Sequence, residues 1–146
     1  VYGFSVIQLV IFQPGRRIFT VGGKQPFNLY YTEPMPVLIE NQVTPHAFRE
    51  GASRRLLHTN DLMVVVIDFF NGPWTAPDPY HKHTHEQISY VASGELIFFC
   101  EGEKEKRLSA GDMFSVPSDK LHTIQLLSER ARLVDSFNPV REDFIS

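Results

Sequence analysis

A chain of 146 residues with 42% hydrophobic content is long enough for one substantial core and short for two domains. The net charge is −3, and the densest basic stretches, Arg54-Arg55 and Lys104-Glu105-Lys106-Arg107, are brief, so the footprint of a nucleic-acid binder is absent. A single cysteine, Cys100, excludes an internal disulfide framework, suits a reducing cytoplasmic compartment, and is read as a small buried hydrophobe rather than a nucleophile.

In chain order, residues 6–12 are apolar but carry Gln8 and give way to Pro14-Gly15-Arg16-Arg17, well short of the roughly 20 residues a membrane helix needs. Residues 1–36 are therefore taken as an N-terminal extension, a strand or dimer arm, ahead of a domain at 37–146. Pro14, Pro26, Pro34, Pro36 and Pro45 argue against long helices in the first third. Residues 45–60 leave room for a helix. The valine-rich run 62–70 ends at Asn71-Gly72-Pro73 and reads as a buried strand. Strands follow at 87–92 and 95–100, joined at Ser93-Gly94, then at 104–108, 113–116, 122–127 and 131–137, with Gly, Pro and Asp turns between them. Many short, evenly spaced strands indicate an all-β sandwich or barrel. Such an edge-rich domain often covers its edges by forming a homodimer.

The chemistry concentrates in His81-Lys82-His83-Thr84-His85-Glu86-Gln87 and in the later His122. Alternation along an extended strand would place His81, His83, His85 and Gln87 on one side. All four beside His122 would crowd a single ion. A bend after His83 lets His81, His83 and Gln87 converge with His122 while His85 points elsewhere in the pocket. Imidazole and amide oxygen suit a divalent Zn, Ni, Fe or Mn ion without choosing among them. Glu86 faces away from Gln87, and His46 and His58 fall outside the pattern as ordinary surface or core-edge residues.

The chain resembles the cupin superfamily. The first cupin motif is met by His81, His83, Gln87 and Gly94, and the second by Gly111, Pro117 and His122, with Asp119 where a glycine is usual. Two departures stand out: Gln87 replaces the customary glutamate ligand, and Leu126 takes the place of a common asparagine. The resemblance implies a single-domain double-stranded β-helix, a jelly-roll barrel. Cupins carry many chemistries, so it does not by itself imply a reaction.

A narrower resemblance is to the KdgF-type pectin-degradation cupins. It rests on the H-x-H-x-H-E-Q-I run, Ser93-Gly94-Glu95-Leu96, Gly111-Asp112-Met113 and the ending Pro139-Val140-Arg141-Glu142-Asp143-Phe144. Such proteins share the glutamine ligand, so Gln87 becomes support. The resemblance implies metal-dependent opening of 4,5-unsaturated monouronates to linear ketouronates. Its working residues map to Asp135, Phe137 and Arg141.

An aspartate near a cation can orient water or move a proton, and Arg141 offers paired donors for a substrate carboxylate. His85, Tyr90 and Phe98 are the further residues expected around the pocket, although alternating strand aromatics are commonly core. The expected ligand is a small acidic sugar or another small carboxylate. Two other readings stay open: a different metal-dependent cupin enzyme, such as a dioxygenase, and a non-catalytic cupin that binds a small ligand.

Overall fold

The computed structural model describes residues 37–145; the expected N-terminal extension at 1–36 lies outside the described residues. Nine strands follow in order: β1 His46–Arg49, β2 Ala52–His58, β3 Met63–Phe69, β4 Glu86–Ser93, β5 Glu95–Cys100, β6 Lys106–Ser109, β7 Met113–Val116, β8 His122–Leu126 and β9 Ala131–Asn138. Two single 3₁₀ turns, Glu40–Gln42 and Glu142–Phe144, flank them. Among the described residues no helix is long and apolar enough to cross a membrane. The stretch at 45–60 that left room for a helix is the β1–β2 hairpin.

The strands form a six-stranded sheet in the order β1-β2-β3-β9-β4-β7 and a three-stranded sheet in the order β6-β5-β8. All their pairings are antiparallel. The all-β class is as expected, but the jelly-roll barrel is not: the two sheets stay open, and among the described residues no strand ladder joins them. The reason lies beside β8. Residues 72–81 run along its free edge, with the amides of Trp74, Asp78 and His81 donating to the carbonyls of Leu126, Ile124 and His122. Pro73, Pro77 and Pro79 interrupt that run, and a residue without an N–H cannot sustain a ladder. A closing strand is thus reduced to scattered hydrogen bonds and one isolated bridge, His81 with His122.

Alternation sets the inner faces. Along β4, Gln87, Ser89 and Val91 are buried while Glu86, Ile88 and Tyr90 are exposed. Along β9, Ala131, Leu133, Asp135 and Phe137 point inward. Gly94 alone separates β4 from β5 and turns the chain from one sheet to the other at φ +84°; a Cβ there would sit 2.3 Å from the Arg130 carbonyl oxygen, so only glycine fits.

The main apolar cluster, including Phe69, Val91, Leu96, Phe98, Val116, Leu126 and Leu133, fills the space between the sheets. Cys100, partly buried, packs against it. A smaller cluster of Met63, Val65 and Phe137 lies at the other end. Asp135 sits on β9 between Leu133 of the first cluster and Phe137 of the second, so apolar packing on both sides holds the polar inner row in place.

Candidate metal centre

His81 and His122 exchange backbone hydrogen bonds, 3.1 Å from the His81 amide and 2.9 Å from the His122 amide. This bridge brings the first histidine segment onto the start of β8, with the two rings 4.3 Å apart between centroids. His83 closes the cluster, its ring 4.9 Å from that of His122 and 6.1 Å from that of His81. Each ring offers a nitrogen, and these atoms lie within 4.8 Å of one another. The chain bends at Thr84-His85 before β4 begins. The loop ahead of β8 fastens that bend: the Asp119 amide donates to the His83 carbonyl at 2.8 Å, and the Ser118 hydroxyl donates to the Thr84 carbonyl at 2.7 Å.

The hydrogen-bond partners of the rings leave lone pairs facing one another. His83 Nδ1 is 2.8 Å from the His85 carbonyl oxygen, and His122 Nδ1 is 2.8 Å from that of Lys120. A ring nitrogen meets a carbonyl only as an N–H donor, so Nε2 of each neutral imidazole is the acceptor. His122 Nε2 is buried without a partner among the described residues. His83 Nε2 stands 3.0 Å from Oε1 of Gln87.

A hydrogen-bonded row fixes that amide. The Gln87 NH₂ donates to Ser89 Oγ at 2.8 Å, and the Ser89 hydroxyl donates to Asp135 Oδ1 at 2.6 Å. An ionised carboxylate only accepts, which sets the direction of the whole row. Two acceptors, His83 Nε2 and Gln87 Oε1, therefore face each other, and an orphaned imidazole nitrogen lies beside them. A cation satisfies all three, and the backbone carbonyls on Nδ1 are the outer partners that metal-binding imidazoles commonly hold. The donor set fits a divalent transition metal.

Electrostatics agree. Burial lowers the pKa of His81 and His83 below the usual histidine value and brings His122 down to about 4, against the opposing pull of their carbonyl partners. The imidazoles thus stay neutral, each with one ring nitrogen free of a proton, as metal ligands must be. Asp135 is 4% exposed. Burial raises its pKa to about 6, opposed by the Ser89 hydrogen bond, the charge of Arg141 and the Gln87 amide.

An open cavity of about 140 Å³ is lined by His81, Gln87, His122, Asp135, Phe137 and Arg141, among others. It is small beside the roughly 300–1,000 Å³ of sites for drug-sized molecules, which favours a compact ligand. Arg141 forms a paired contact with Asp143, at 3.2 and 2.7 Å. Its guanidinium lies over Phe137 at 5.3 Å and Phe144 at 4.0 Å.

The other residues expected around the pocket lie elsewhere. Tyr90, 38% exposed, is on the outer face of β4. Phe98 is buried in the main cluster and stacked on Phe114 with centroids 4.1 Å apart. His85 is partly buried beside His83, outside the residues that line the cavity. Two cavity neighbours carry no motif of their own. Ser89 shares the inner face of β4 with Gln87, and a serine two residues after the glutamine, on the same face by strand alternation, was the available signal. Arg54 comes from β2, in the stretch where strand and helix were both open, and lines the same cavity.

Comparison with known proteins agrees with this geometry. Residues 73–137 match the cupin domain family. The pectin degradation protein KdgF of Dickeya dadantii is 34% identical over 109 residues, 73% of this chain and 96% of that protein. The structure of KdgF from a Halomonas species superposes with a TM-score of 0.66 at 34% identity, covering 73% of this chain and 96% of that one. An RmlC-like cupin from Shewanella frigidimarina gives a TM-score of 0.66 at 35% identity, covering 74% of this chain and 94% of the other. With its histidine cluster and these relatives spanned almost end to end, the chain belongs to the cupin superfamily and is closely related to the KdgF-type proteins.

Proposed function

We propose that this protein is a metal-dependent enzyme that opens the ring of 4,5-unsaturated monouronates to give linear ketouronates. The observation that carries the reading is Asp135, a buried carboxyl with a pKa raised to about 6, in the same cavity as the histidine cluster and Arg141. Such a group is poised to take and return a proton near neutral pH. The Dickeya relative is named for pectin degradation, and unsaturated uronates belong to that chemistry.

In this mechanism Arg141 receives the substrate carboxylate with its planar donors. Its present partner, Asp143, is exposed and exchanges with the incoming anion. Phe137 packs under the guanidinium and, with its edge toward His83, forms an apolar wall that keeps water from the reacting carbon. His81, His83 and His122, with Gln87 beside them, would hold a divalent Zn, Ni, Fe or Mn ion, which would supply positive charge to polarise a substrate oxygen.

Asp135 then accepts the proton of the anomeric hydroxyl. The C1–O5 bond breaks, C1 becomes an aldehyde, and the electron pair passes to the ring oxygen as an enolate. Asp135 returns the proton to C4, and C5 becomes the ketone. The reaction is an isomerisation that needs no other reactant. Ser89 and the Gln87 amide hold the carboxylate in place during both transfers.

The test is an NMR time course of metal-replete protein with a 4,5-unsaturated monouronate beside a D135N variant. Faster loss of the ring vinyl signal with growth of the open ketouronate, at least 100-fold weaker in D135N, is the expected result. No acceleration by protein with its metal bound would overturn the reading.

A further inference from the structure

The inner face of β2 carries a charge where an apolar residue would be ordinary. Arg54 pairs across the β2–β3 ladder with Ile67 and alternates with Ala52 and Leu56, so its side chain enters the apolar space between the sheets. Its guanidinium stacks over Phe144 at 3.8 Å and Phe48 at 5.2 Å. Among the described residues Arg54 makes no salt bridge. The contrast with its neighbour is sharp: Arg55, on the outer face, reaches Asp68 at 3.2 Å and Glu40 at 3.9 Å.

A second guanidinium stands on the same ring. Arg141 lies over Phe144 at 4.0 Å, so one aromatic ring carries two cations, and both line the cavity. Like charges held together on an apolar surface are costly unless an anion joins them. Asp143 is committed to Arg141 and supplies only a distant attraction to Arg54. Burial and the charge of Arg141 accordingly disfavour the charged form of Arg54.

We propose that Arg54 and Arg141 form a carboxylate-binding pair across Phe144, with Arg54 the residue that makes the cavity select acidic over neutral sugars. The inference rests on the reading of the ligand as a small acidic sugar and adds a determinant from β2 to the Asp135, Phe137 and Arg141 set. Phe144 is the platform: its position in the final 3₁₀ turn fixes the spacing of the two guanidiniums. At the edge of that ring a carboxylate can accept from both guanidiniums, whereas a neutral hydroxymethyl group has no charge to pair with them. Arg54 thus acts on binding, and the proton transfers stay with Asp135.

The test is calorimetric titration of the full, metal-replete protein with D-galacturonate and, separately, with D-galactose. Two variants are compared: Arg54→Gln, which keeps some polarity, and Arg54→Met, which keeps the stem packed against Phe48 and Phe144 and guards against loss of fold. Either variant is expected to lose about tenfold or more in galacturonate affinity, the cost of a charge-assisted contact, with galactose binding unchanged. Galacturonate affinity equal to wild type, or an equal loss for both sugars, would overturn the inference. The proposed reaction fails separately. If unsaturated monouronates are not turned over while galacturonate binding still depends on Arg54, the reaction falls and the carboxylate pair stands. If turnover proceeds with an unchanged KM in both variants, the carboxylate pair falls and the reaction stands.

Discussion

Ser89 and Asp135 are direct partners in the β4–β9 ladder, and the serine hydroxyl spans them with a 2.6 Å hydrogen bond to the carboxylate. The next inward pair in the same ladder is Gln87 with Phe137. Strand register therefore builds the polar row: it sets the Gln87 amide, the Ser89 hydroxyl and the Asp135 carboxyl in a line that ends at His83. An inner face that would otherwise be apolar accepts this row because each member satisfies the next.

Replacing Ser89 by alanine breaks the row at its centre. Asp135 loses the hydrogen bond that most strongly opposes its burial, so its pKa rises above about 6. The acid limb of the kcat–pH profile is expected to move toward higher pH by about one unit. The unpaired Gln87 amide costs a further 1–3 kcal/mol or so of stability. A pH profile identical to that of wild type would show that Asp135 does not feel Ser89.

The Asp135 carboxyl also makes the metal-free protein sensitive to pH. Its folded pKa of about 6 lies above the ordinary 3.8, so the native state binds the proton more tightly than the unfolded chain. Stability from this group is complete below the ordinary value and is lost as pH rises through about 6. Asp135→Asn removes that loss while keeping an acceptor for Ser89. Urea denaturation of metal-free protein at pH 7.5 is expected to find the variant more stable by roughly 2–3 kcal/mol, an upper bound from the shift, and the gap should close near pH 4. A gap that stays constant over that range would contradict the assigned shift.

The histidines act in the opposite direction. Their folded pKa values are depressed by burial, so their contribution is complete above the ordinary 6.5 and is lost as pH falls through the folded values, to about 4 for His122. The cluster should keep a metal at pH values where exposed imidazoles are already protonated. Zinc titration monitored by calorimetry is expected to show strong binding at pH 5.5 as well as at 7.5. His122→Ala, which removes the orphaned Nε2, is expected to lose more than about 100-fold in affinity at both. Retention of full affinity in that variant would sink the three-histidine site.

The histidine cluster was legible because its ligands fall within a few residues of one another or in a second motif with fixed spacing. The strands from β3 to β9 were legible for a similar reason: Met63–Phe69, Glu95–Cys100 and Met113–Val116 are apolar runs bounded by turn residues. What escaped depends on distant chain segments. The hairpin over residues 45–60 turns at Gly51, whose φ of +71° brings it against the Phe70 carbonyl, a contact made only in the folded sheet. Arg54 was hidden with it, since its face could not be assigned without the strand. The open edge beside β8 was signalled by Pro73, Pro77 and Pro79, but only the pairing with Trp74, Asp78 and His81 reveals what those prolines prevent.

Asp119 occupies a position where the cupin motif usually has glycine, and its φ is +61°. L-residues enter this left-handed region at a cost of about 1–2 kcal/mol, eased for aspartate by its short polar side chain. The strain is local to the site, because the Asp119 amide holds the His83 carbonyl at 2.8 Å. Asp119→Gly relieves it but gives the unfolded chain more freedom, so the two effects nearly cancel and the melting temperature should change little. Asp119→Ala has neither the freedom of glycine nor the polar side chain of aspartate and should cost about 1 kcal/mol. Because the same turn aims His83, the alanine variant should also bind zinc more weakly than the glycine variant. Thermal melts and zinc titrations of both check this. Equal melting temperatures for the two would mean that the backbone at Asp119 relaxes out of the left-handed region when its side chain is removed.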